Sequence, residues 1–434
     1  MSRSLPRMAA ALMPREMASW GLTAVALGAL EGGLLGVIVK NLFADAASPG
    51  IVNLAVAVVA GAPAFTNLSS FLFASLASGR DKLALLSRLM QVIAACLLLM
   101  AIPGSSAPGL ILFCVLTVIA RTAWSGILTI RAAVWRANYQ RQWRGQVTAR
   151  IVQLASLLVA SYAALIGFLL DWREQAFRPA FIFAAGCCLL AAYFYRRARV
   201  RRHRQLLAAE KAEHVLAGRR LNMSRLLRVL QDDRDFRRYM ISMMIFGSGN
   251  LMILPILVVI LNDRFELTQL HQVMVLSSLP LLVLCFCISY WARLLDRRHI
   301  FSYRAIHSWT FVASFACYAA AVIFGQTLWL WPASVILGAA YAGAHLGWNL
   351  GHNDFSSDAS ASHYMAIHVT LTGLRGLFVP LLGVGFYQLL VEQAPAQAPL
   401  ALLVPLALST TGACTFVYLH RERERRIATQ AAGG

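Results

Sequence analysis

The sequence predicts an all-α integral membrane protein with twelve transmembrane helices arranged as two bundles of six. Three observations lead to this prediction. Of the 434 residues, 59% are hydrophobic and only 13% are charged, giving a mean hydropathy of +0.63. The apolar residues form long uninterrupted runs, and the basic residues fall between alternate runs. This composition excludes a soluble enzyme, and 29 Gly, 14 Pro and 8 Cys do not fit a disordered, collagen-like or disulfide-stapled chain.

Each apolar run is long enough to cross a hydrocarbon layer of about 30 Å, which takes roughly 20 helical residues. The first run is longer than the apolar core of a signal peptide and contains Glu31, so we interpret it as a membrane span. The twelve predicted spans are 18–41, 51–76, 84–103, 109–132, 148–170, 178–195, 239–261, 269–292, 303–324, 328–350, 364–390 and 398–419.

The basic residues predict the orientation. Lys and Arg concentrate in the cytoplasmic segments of membrane proteins, and almost all of the 39 Lys and Arg residues lie at the two ends of the chain or between alternate runs. Both termini are therefore predicted to be cytoplasmic. We interpret the net charge of +20 as affinity for anionic lipid headgroups and predict no nucleic-acid partner. The predicted location is the inner membrane of a bacterium. The outer segments and their margins hold Lys40, Arg173, Arg178 and Arg264.

The only long connection between runs divides the chain into three parts. We predict an N-terminal six-helix bundle over 1–195, a basic cytoplasmic linker over 196–238 and a C-terminal bundle with a basic cytoplasmic tail over 239–434. Within the linker, Leu206–Leu230 has the apolar spacing of an amphipathic helix on the inner leaflet. A solvated tether and a regulatory or partner-binding segment both fit this pattern. The cysteines lie inside spans without metal-ligand or redox spacing, so no metal and no cofactor are predicted.

Twelve spans in a 6 + 6 arrangement, with both ends inside and a long basic central loop, resemble the major facilitator superfamily of secondary transporters over essentially the whole chain. That family carries a Gly-x-x-x-Asp-Arg-x-Gly-Arg-Arg-like loop after the second helix, often repeated after the eighth. Here Ala292–His299 is the better copy and Ala77–Lys82 a degraded one. An aspartate at a helix end can hold basic groups together on a closed cytoplasmic face, although ordinary positive-inside residues give the same pattern. The gating candidates are Arg80, Asp81, Asp296 and Arg297.

Three ionisable residues lie at membrane depth, where a charge is costly unless it is paired or faces water. By the helical rise per residue, Glu31 in the first run, Arg375 in the eleventh and Arg121 in the fourth all lie at similar depth, near the middle of a core about 30 Å thick. The family resemblance implies that the first, fourth, seventh and tenth helices surround a central cavity, with Glu31 facing Arg121. Glu31 is accordingly our candidate for proton coupling. A permanent ion pair that only fixes packing is the alternative.

Polar side chains recur on one face of two other spans. In the fourth span Arg121 and Ser125 share a face with Trp124 beside them, and in the tenth Tyr341, His345 and Asn349 recur every four residues. Such stripes suit a cavity wall that binds a mixed polar and apolar solute. Interhelical hydrogen bonding is the alternative for each residue. The substrate-binding candidates are Arg121, Trp124, Ser125, Asn250, Tyr341, His345, Asn349 and Arg375.

Two glycine-containing stretches predict backbone features. In the first span Gly28, Gly32 and Gly36 form a smooth strip, which favours close packing by a neighbouring helix. In the seventh span the run Phe246–Asn250 precedes Pro255. We expect unwound backbone there, lining a cavity.

The predicted function is proton-coupled secondary transport of a small organic anion or amphipathic metabolite by alternating access. Two cavity arginines against one carboxylate favour a solute that bears a carboxylate or phosphate. A multidrug-type efflux pump for hydrophobic compounds is an alternative, although the Gly-Pro-x-x-Gly-Gly stretch of drug/proton antiporters is absent from the fifth span. The aromatic and sulfur side chains that favour efflux are Trp124, Trp348, Phe246 and Met252.

Alternatives of another class are a non-transporting membrane scaffold and a membrane-embedded enzyme. His352 with Asp358 is the nearest approach to a catalytic pair, and its spacing matches no motif that we recognise. A nucleotide-driven pump is disfavoured, since the chain has no Gly-x-x-x-x-Gly-Lys-Ser/Thr run. We therefore predict no enzyme activity, and a monomer, as is common in folds of this kind.

Overall fold

The computed structural model describes residues 7–139, 141–216, 223–356 and 361–432, and the secondary structure of these residues is helical without strands. Twelve helices in this part of the chain are long and apolar enough to cross a membrane, one for each predicted run. Two shorter helices, His203–Leu216 and Met223–Asp232, lie between the sixth and seventh spans. The spans are Leu12–Leu42, Pro49–Ala77, Lys82–Met100, Ala107–Asn138, Arg150–Trp172, Glu174–Arg196, Arg234–Arg264, Gln269–Leu295, Ile300–Phe324, Thr327–Asp354, His363–Gln393 and Pro395–Gln430.

Short polar side chains cap several spans where these leave the membrane. Asp81 accepts hydrogen bonds from the amides of Leu83 and Ala84 at the start of the third span. Ser106 accepts one from the amide of Gly109 at the start of the fourth. The first amides of a helix have no partner within it, so a polar residue just before an apolar run stabilises a helix start at that point.

The spans pack as two bundles of six with a pseudo-twofold relation. In the N-terminal bundle the first span contacts the fifth and sixth, and in the C-terminal bundle the seventh contacts the eleventh and twelfth. The pair formed by the third and sixth spans has its counterpart in the ninth and twelfth. Between the bundles, the second span packs on the eleventh and the fifth on the eighth. Each bundle therefore contributes equivalent helices to the interface, a symmetry suited to rocking about a central site.

On the outer side, the first and seventh spans are joined by polar contacts. Lys40 Nζ lies 2.8 Å from Asp263 Oδ1, and Asn262 Nδ2 donates a hydrogen bond to Asn41 Oδ1 at 3.0 Å. We call these four residues the outer gate. Lys40 is buried, so its ion pair is less screened by water than a surface pair.

Among the residues that the structure describes, polar contact between the bundles is much weaker on the inner side. The outer side has a further hydrogen bond between the bundles, from Gln388 to the Gly50 carbonyl. In the inner half, the described residues provide one long contact, 3.7 Å from Cys285 Sγ to the Gln153 carbonyl. The structure is therefore closed on its outer side.

The backbone break at membrane depth lies in the first span and not in the seventh, where we expected it. The first span consists of two helices, Arg7–Ala29 and Gly32–Leu42, whereas Arg234–Arg264 is one continuous helix. The expectation for the seventh span was wrong because its glycines give room to neighbouring atoms without breaking the helix. Gly247 faces the Arg375 guanidinium, and Gly249 lies against the twelfth span.

The glycine strip of the first span serves close packing, but against three different helices. Gly28 lies against Tyr162 in the fifth span, Gly32 against the backbone of Ala60 in the second, and Gly36 against Val258 in the seventh. The first span is therefore held closely by both bundles.

Replacing Gly376 with alanine will destabilise the contact between the second and eleventh spans. A Cβ atom at Gly376 would lie 2.6 Å from Ala64 Cβ and 2.8 Å from the amide nitrogen of Phe65, which cannot move without shifting the backbone. We expect a loss of about 1–3 kcal/mol, typical of overpacking, measured by thermal unfolding in detergent. Gly385→Ala in the same helix is the matched control because nothing lies within 4 Å of its Cβ position. Equal unfolding temperatures for the two variants would contradict this packing.

Candidate functional site

The break in the first span is stabilised by the side chain of Glu31. Its Oε2 atom accepts hydrogen bonds from the amides of Gly33 at 2.7 Å and Leu34 at 3.1 Å, and so caps the helix Gly32–Leu42. A carboxylate is favourable at a helix N-terminus because the exposed amides carry partial positive charge. Glu31 is only half buried, so water can reach a carboxylate at membrane depth.

Arg121 meets the same break from the fourth span. Its Nη2 atom donates a hydrogen bond to the Leu30 carbonyl, which is the residue directly before Glu31. The guanidinium is buried, interacts electrostatically with Glu31, and has no hydrogen-bond partner at Nε in the described residues. Arg121 and Glu31 thus lie near each other at the broken backbone, but their side chains do not form an ion pair.

Ser277 in the eighth span connects Glu31 to the other bundle. Its hydroxyl donates a hydrogen bond to Glu31 Oε2, and it lies in the π-helical segment Met274–Ser278. Single π-helical turns inside α-helices occur often at functional sites. Sequence reasoning missed Ser277, because a serine in an apolar run gives no sign of its partner.

The tenth span faces this site from the C-terminal bundle. Tyr341 interacts electrostatically with Glu31, and His345 with Arg131 of the fourth span. His345 and Asn349 are nonetheless exposed. Residues that face the opposite bundle and still contact solvent line an open space between the bundles. Tyr341 and His345 of the predicted polar stripe therefore face the interface between the bundles, and Asn349 donates a hydrogen bond to the His345 carbonyl.

The two candidates of the fourth span beside Arg121 differ in their surroundings. Trp124 is half buried and packs edge-on against Trp20, with ring centroids 5.9 Å apart. Ser125 is buried, and its hydroxyl has no partner among the described residues. Neither is shown in contact with Glu31.

Asn250 and Arg375 lie inside the C-terminal bundle. Asn250 Oδ1 accepts a 3.4 Å hydrogen bond from Ser409 in the twelfth span, as expected of interhelical hydrogen bonding. Arg375 is buried and donates from Nη1 to the Met243 carbonyl, and its Nε has no partner in the described part of the chain. The structure does not bring either residue to the break in the first span.

A second buried acid, Glu16, lies near the inner end of the first span. Sequence reasoning missed Glu16 because it lies just before the predicted run 18–41, whereas the span begins at Leu12. Glu16 is 2% exposed and interacts with Arg131. The Arg131 guanidinium lies 4.5 Å from the ring centroid of Trp20 and 4.2 Å from that of Trp135. In the sequence, the i, i+4 spacing of Glu16 and Trp20 was the available indication that Glu16 lies on the same helix face as an aromatic residue of the span.

The C-terminal bundle also buries a cluster of one arginine and two histidines that sequence reasoning missed. Arg304 is 1% exposed and contacts His307 Nδ1 at 3.4 Å. His368 is fully buried, and neither of its ring nitrogens has a partner in the described residues. Arg304 looked like a positive-inside residue because it follows the basic loop by only a few positions. No carboxylate within the described ranges pairs with Arg304 or Arg375 at ion-pair distance.

The loop after the second span, which is the degraded copy of the family motif, forms an ion pair through its aspartate. Among the described residues, the aspartate of the better copy after the eighth span forms none. Asp81 Oδ2 accepts a 2.8 Å hydrogen bond from Arg196 Nη1. Burial by itself raises the pKa of Asp81, but Arg196 and the amides that it caps outweigh this effect and hold the pKa below its usual value. Arg80 is exposed. Asp296 and Arg297 are exposed as well and form no ion pair among the described residues.

The linker helix His203–Leu216 is attached to the same loop. Glu210 accepts hydrogen bonds from Lys82 Nζ, the shorter at 2.6 Å, and from the Gly79 amide at 3.1 Å. The predicted amphipathic segment 206–230 is only partly covered, because residues 217–222 lie outside the described part of the chain. Asp358, the suggested partner of His352, also lies outside it.

No group of three or more His, Cys, Asp or Glu side chains in the described ranges could hold a metal ion. The site is thus built from one carboxylate, one guanidinium, hydroxyls and aromatic rings around a broken helix. This chemistry suits the binding of a solute and a proton.

Comparison with known proteins decides the family. The family model described as Major Facilitator Superfamily matches residues 20–380. The chain belongs to the Major Facilitator Superfamily. It is accordingly a membrane transporter and not an enzyme, as the sequence predicted. No curated protein matches the sequence.

Solved transporters of the superfamily share the fold at low sequence identity. A D-xylose-proton symporter matches with a TM-score of 0.69 and 12% identity over 93% of this chain and 96% of its own. The POT family transporter PepTSo matches with 0.70 and 10% over 98% and 99%. The nucleoside transporter NupG matches with 0.59 and 12% over 96% and 99%. At such identities these structures support the fold alone.

Proposed function

We propose that the protein couples proton movement to the transport of a small organic anion by alternating access. The proposal depends on one observation, the broken first span at which a carboxylate, a buried guanidinium and a hydroxyl of the opposite bundle meet. A ligand that binds at a helix break between two bundles can change the contacts there. Such a change can shift the position of one bundle against the other.

Proton coupling is assigned to Glu31. As a carboxylate, it accepts hydrogen bonds from two amides of its own bundle and from Ser277 of the other. Protonation removes the charge that favours these donors. The contact between the first and eighth spans then weakens, just inward of the outer gate. Proton binding would in this way favour opening of the outer side.

Buried positive charge supports the proposed substrate class. Arg121 is buried at the break without a carboxylate at ion-pair distance within the described residues, and Arg304 and Arg375 are buried likewise inside the C-terminal bundle, away from the break. An unpaired charge at membrane depth is costly. Guanidinium binds carboxylate and phosphate groups in a bidentate manner. An anionic group beside Arg121, with Tyr341 and His345 on the opposite wall, fits this charge pattern.

The efflux alternative loses support from the positions of Phe246 and Met252, two of the four residues that favoured it. Phe246 is buried against Phe311 and Phe416, and Met252 lies against Gly383 inside the C-terminal bundle. Neither lines the space between the bundles. Among the similar structures, the D-xylose transporter is named a proton symporter, the kind of coupling that we propose for this chain.

Ligand-dependent thermal unfolding tests the substrate assignment. We would add carboxylates, phosphates, neutral sugars and lipophilic cations to the purified protein, and compare Arg121→Ala, Arg121→Lys and the exposed outer-loop control Arg173→Gln. A ligand at 100 times its Kd stabilises the folded protein by about 2.7 kcal/mol. We expect an anion to stabilise the wild type and the control but not Arg121→Ala.

Arg121→Lys keeps the charge and loses the planar fork, so we expect weaker stabilisation by the same anion. This variant keeps the test valid if Arg121→Ala does not fold. Stabilisation by lipophilic cations alone would contradict the anion assignment, and so would an anion effect that all the Arg121 variants retain.

A further inference from the structure

A groove lies between the ninth and twelfth spans near their inner ends. Its volume is about 390 Å³, and its lining includes Trp309, Cys414, Tyr418, Arg421 and Arg425. Trp309 is 42% and Tyr418 60% exposed, so the apolar part of the groove opens to the surroundings of the bundle. At membrane depth those surroundings are lipid.

The groove changes character along its length. Cys414 lies seven residues before Arg421, which corresponds to roughly 10 Å along the helix. Arg425 follows one turn later, roughly 6 Å further out. The apolar end therefore lies at the depth of acyl chains, and the basic end lies where headgroup phosphates are. Aromatic residues such as Trp309 and Tyr418 are typical of this boundary.

The acidic residue of the groove is already neutralised. Glu422 lies 2.8 Å from Arg238 Nη2 and 2.8 Å from Arg426 Nη2. Arg421 and Arg425, by contrast, form no ion pair or side-chain hydrogen bond with any residue that the structure describes. Two exposed guanidiniums one turn apart are thus available to one ligand.

We propose that this groove binds one anionic phospholipid of the inner leaflet, with its phosphate between Arg421 and Arg425 and its acyl chain along Trp309 and Cys414. Guanidinium pairs are suited to phosphate, and basic pockets between spans on the cytoplasmic side recognise anionic headgroups. The apolar length of the groove requires a lipid and not a soluble phosphate. The site lies on the outside of the C-terminal bundle and is separate from the transport pathway.

Such a lipid would act on the ends of three spans. The ion pairs of Glu422 with Arg238 and Arg426, and the 3.3 Å contact of Arg426 with Asp235, join the seventh and twelfth spans. By contacting Trp309, the lipid would also connect the ninth span to the seventh and twelfth spans. It would therefore stabilise the inner end of the C-terminal bundle.

Native mass spectrometry of the detergent-purified full chain tests the site. Phosphatidylglycerol and phosphatidylcholine with identical acyl chains are the probes. We expect the wild type to bind phosphatidylglycerol more tightly. Arg421→Gln/Arg425→Gln should lower its affinity about 30-fold, the equivalent of about 2 kcal/mol for two basic groups. The matched control, Arg293→Gln/Arg298→Gln, removes two exposed arginines of the inner surface outside the groove and should leave the preference intact.

Arg425→Gln alone, in the exposed end of the helix, should lower the affinity about fivefold and keeps the test valid if the double variant does not fold. Equal losses in the two double variants would mean general attraction to a basic surface and would overturn the proposal. No preference for phosphatidylglycerol in the wild type would overturn it too, as would equally effective displacement of the lipid by inorganic phosphate or glycerol phosphate.

Discussion

Replacing Glu31 with glutamine is expected to abolish proton-driven accumulation of the substrate while exchange down a gradient continues. With one proton per solute, a difference of one pH unit is worth about 1.4 kcal/mol, or about tenfold accumulation. The variant cannot take up a proton at this position. Its accumulation ratio in proteoliposomes should therefore fall to about 1, and its transport rate should lose its dependence on pH.

Glutamine is the informative replacement because its amide oxygen can still accept hydrogen bonds from Gly33 and Leu34. The cap of the helix Gly32–Leu42 is then retained, and only the charge and the titration are lost. Asp45→Asn is the matched control, since Asp45 is an exposed acid of the neighbouring outer loop. Retained accumulation in Glu31→Gln would mean that Glu31 only caps a helix and that protons, if they are used, bind elsewhere. Glu16 would then be the next residue to test.

Cross-linking the outer gate is expected to stop transport completely. Asn41 and Asn262 are hydrogen-bonded across the bundles at 3.0 Å, and alternating access requires them to separate. In the double variant Asn41→Cys/Asn262→Cys, a short thiol-specific bifunctional reagent should join the first and seventh spans. Uptake of the substrate by proteoliposomes should fall to background, because a covalent link holds the outer side closed. If the reagent is joined to the cysteines through disulfide bonds, a reductant should cleave the link and restore uptake.

The single variants Asn41→Cys and Asn262→Cys are the controls for reaction at the native thiols, of which Cys414 is exposed. Each should keep its activity after the same treatment. Undiminished transport in the fully cross-linked double variant would contradict an opening at the outer gate. Inhibition that a reductant fails to reverse would indicate damage and not a locked gate.

The sequence predicted well the features that depend only on a single helix and on the thickness of the membrane. All twelve spans were found because each needs about 20 apolar residues. The depths of Glu31 and Arg121 followed from a constant rise per residue, and their meeting at Leu30 agrees with these depths. The family resemblance supplied the arrangement of the helices around the cavity.

Prediction from the sequence was poorer for glycine, which can either break a helix or allow a neighbouring helix to approach closely. The run Phe246–Asn250 contains glycines that weaken a helix, but in the structure they make room for Arg375 and the twelfth span. The real break follows Ala29, where Glu31 can cap the next helix. A glycine permits either outcome, and the neighbouring helix decides between them.

By itself, the sequence determined the class of fold, the orientation and the chemical groups that lie at membrane depth, because hydropathy, charge and helical rise are properties of consecutive residues. Only the tertiary structure decided which groups meet. Ser277 reaches Glu31 across 246 positions of the chain, and the buried side chains of Arg304 and His368 come from separate spans. Contacts between spans depend on how closely helices approach and how they cross. These are properties of the packed bundles, which no single stretch of sequence contains.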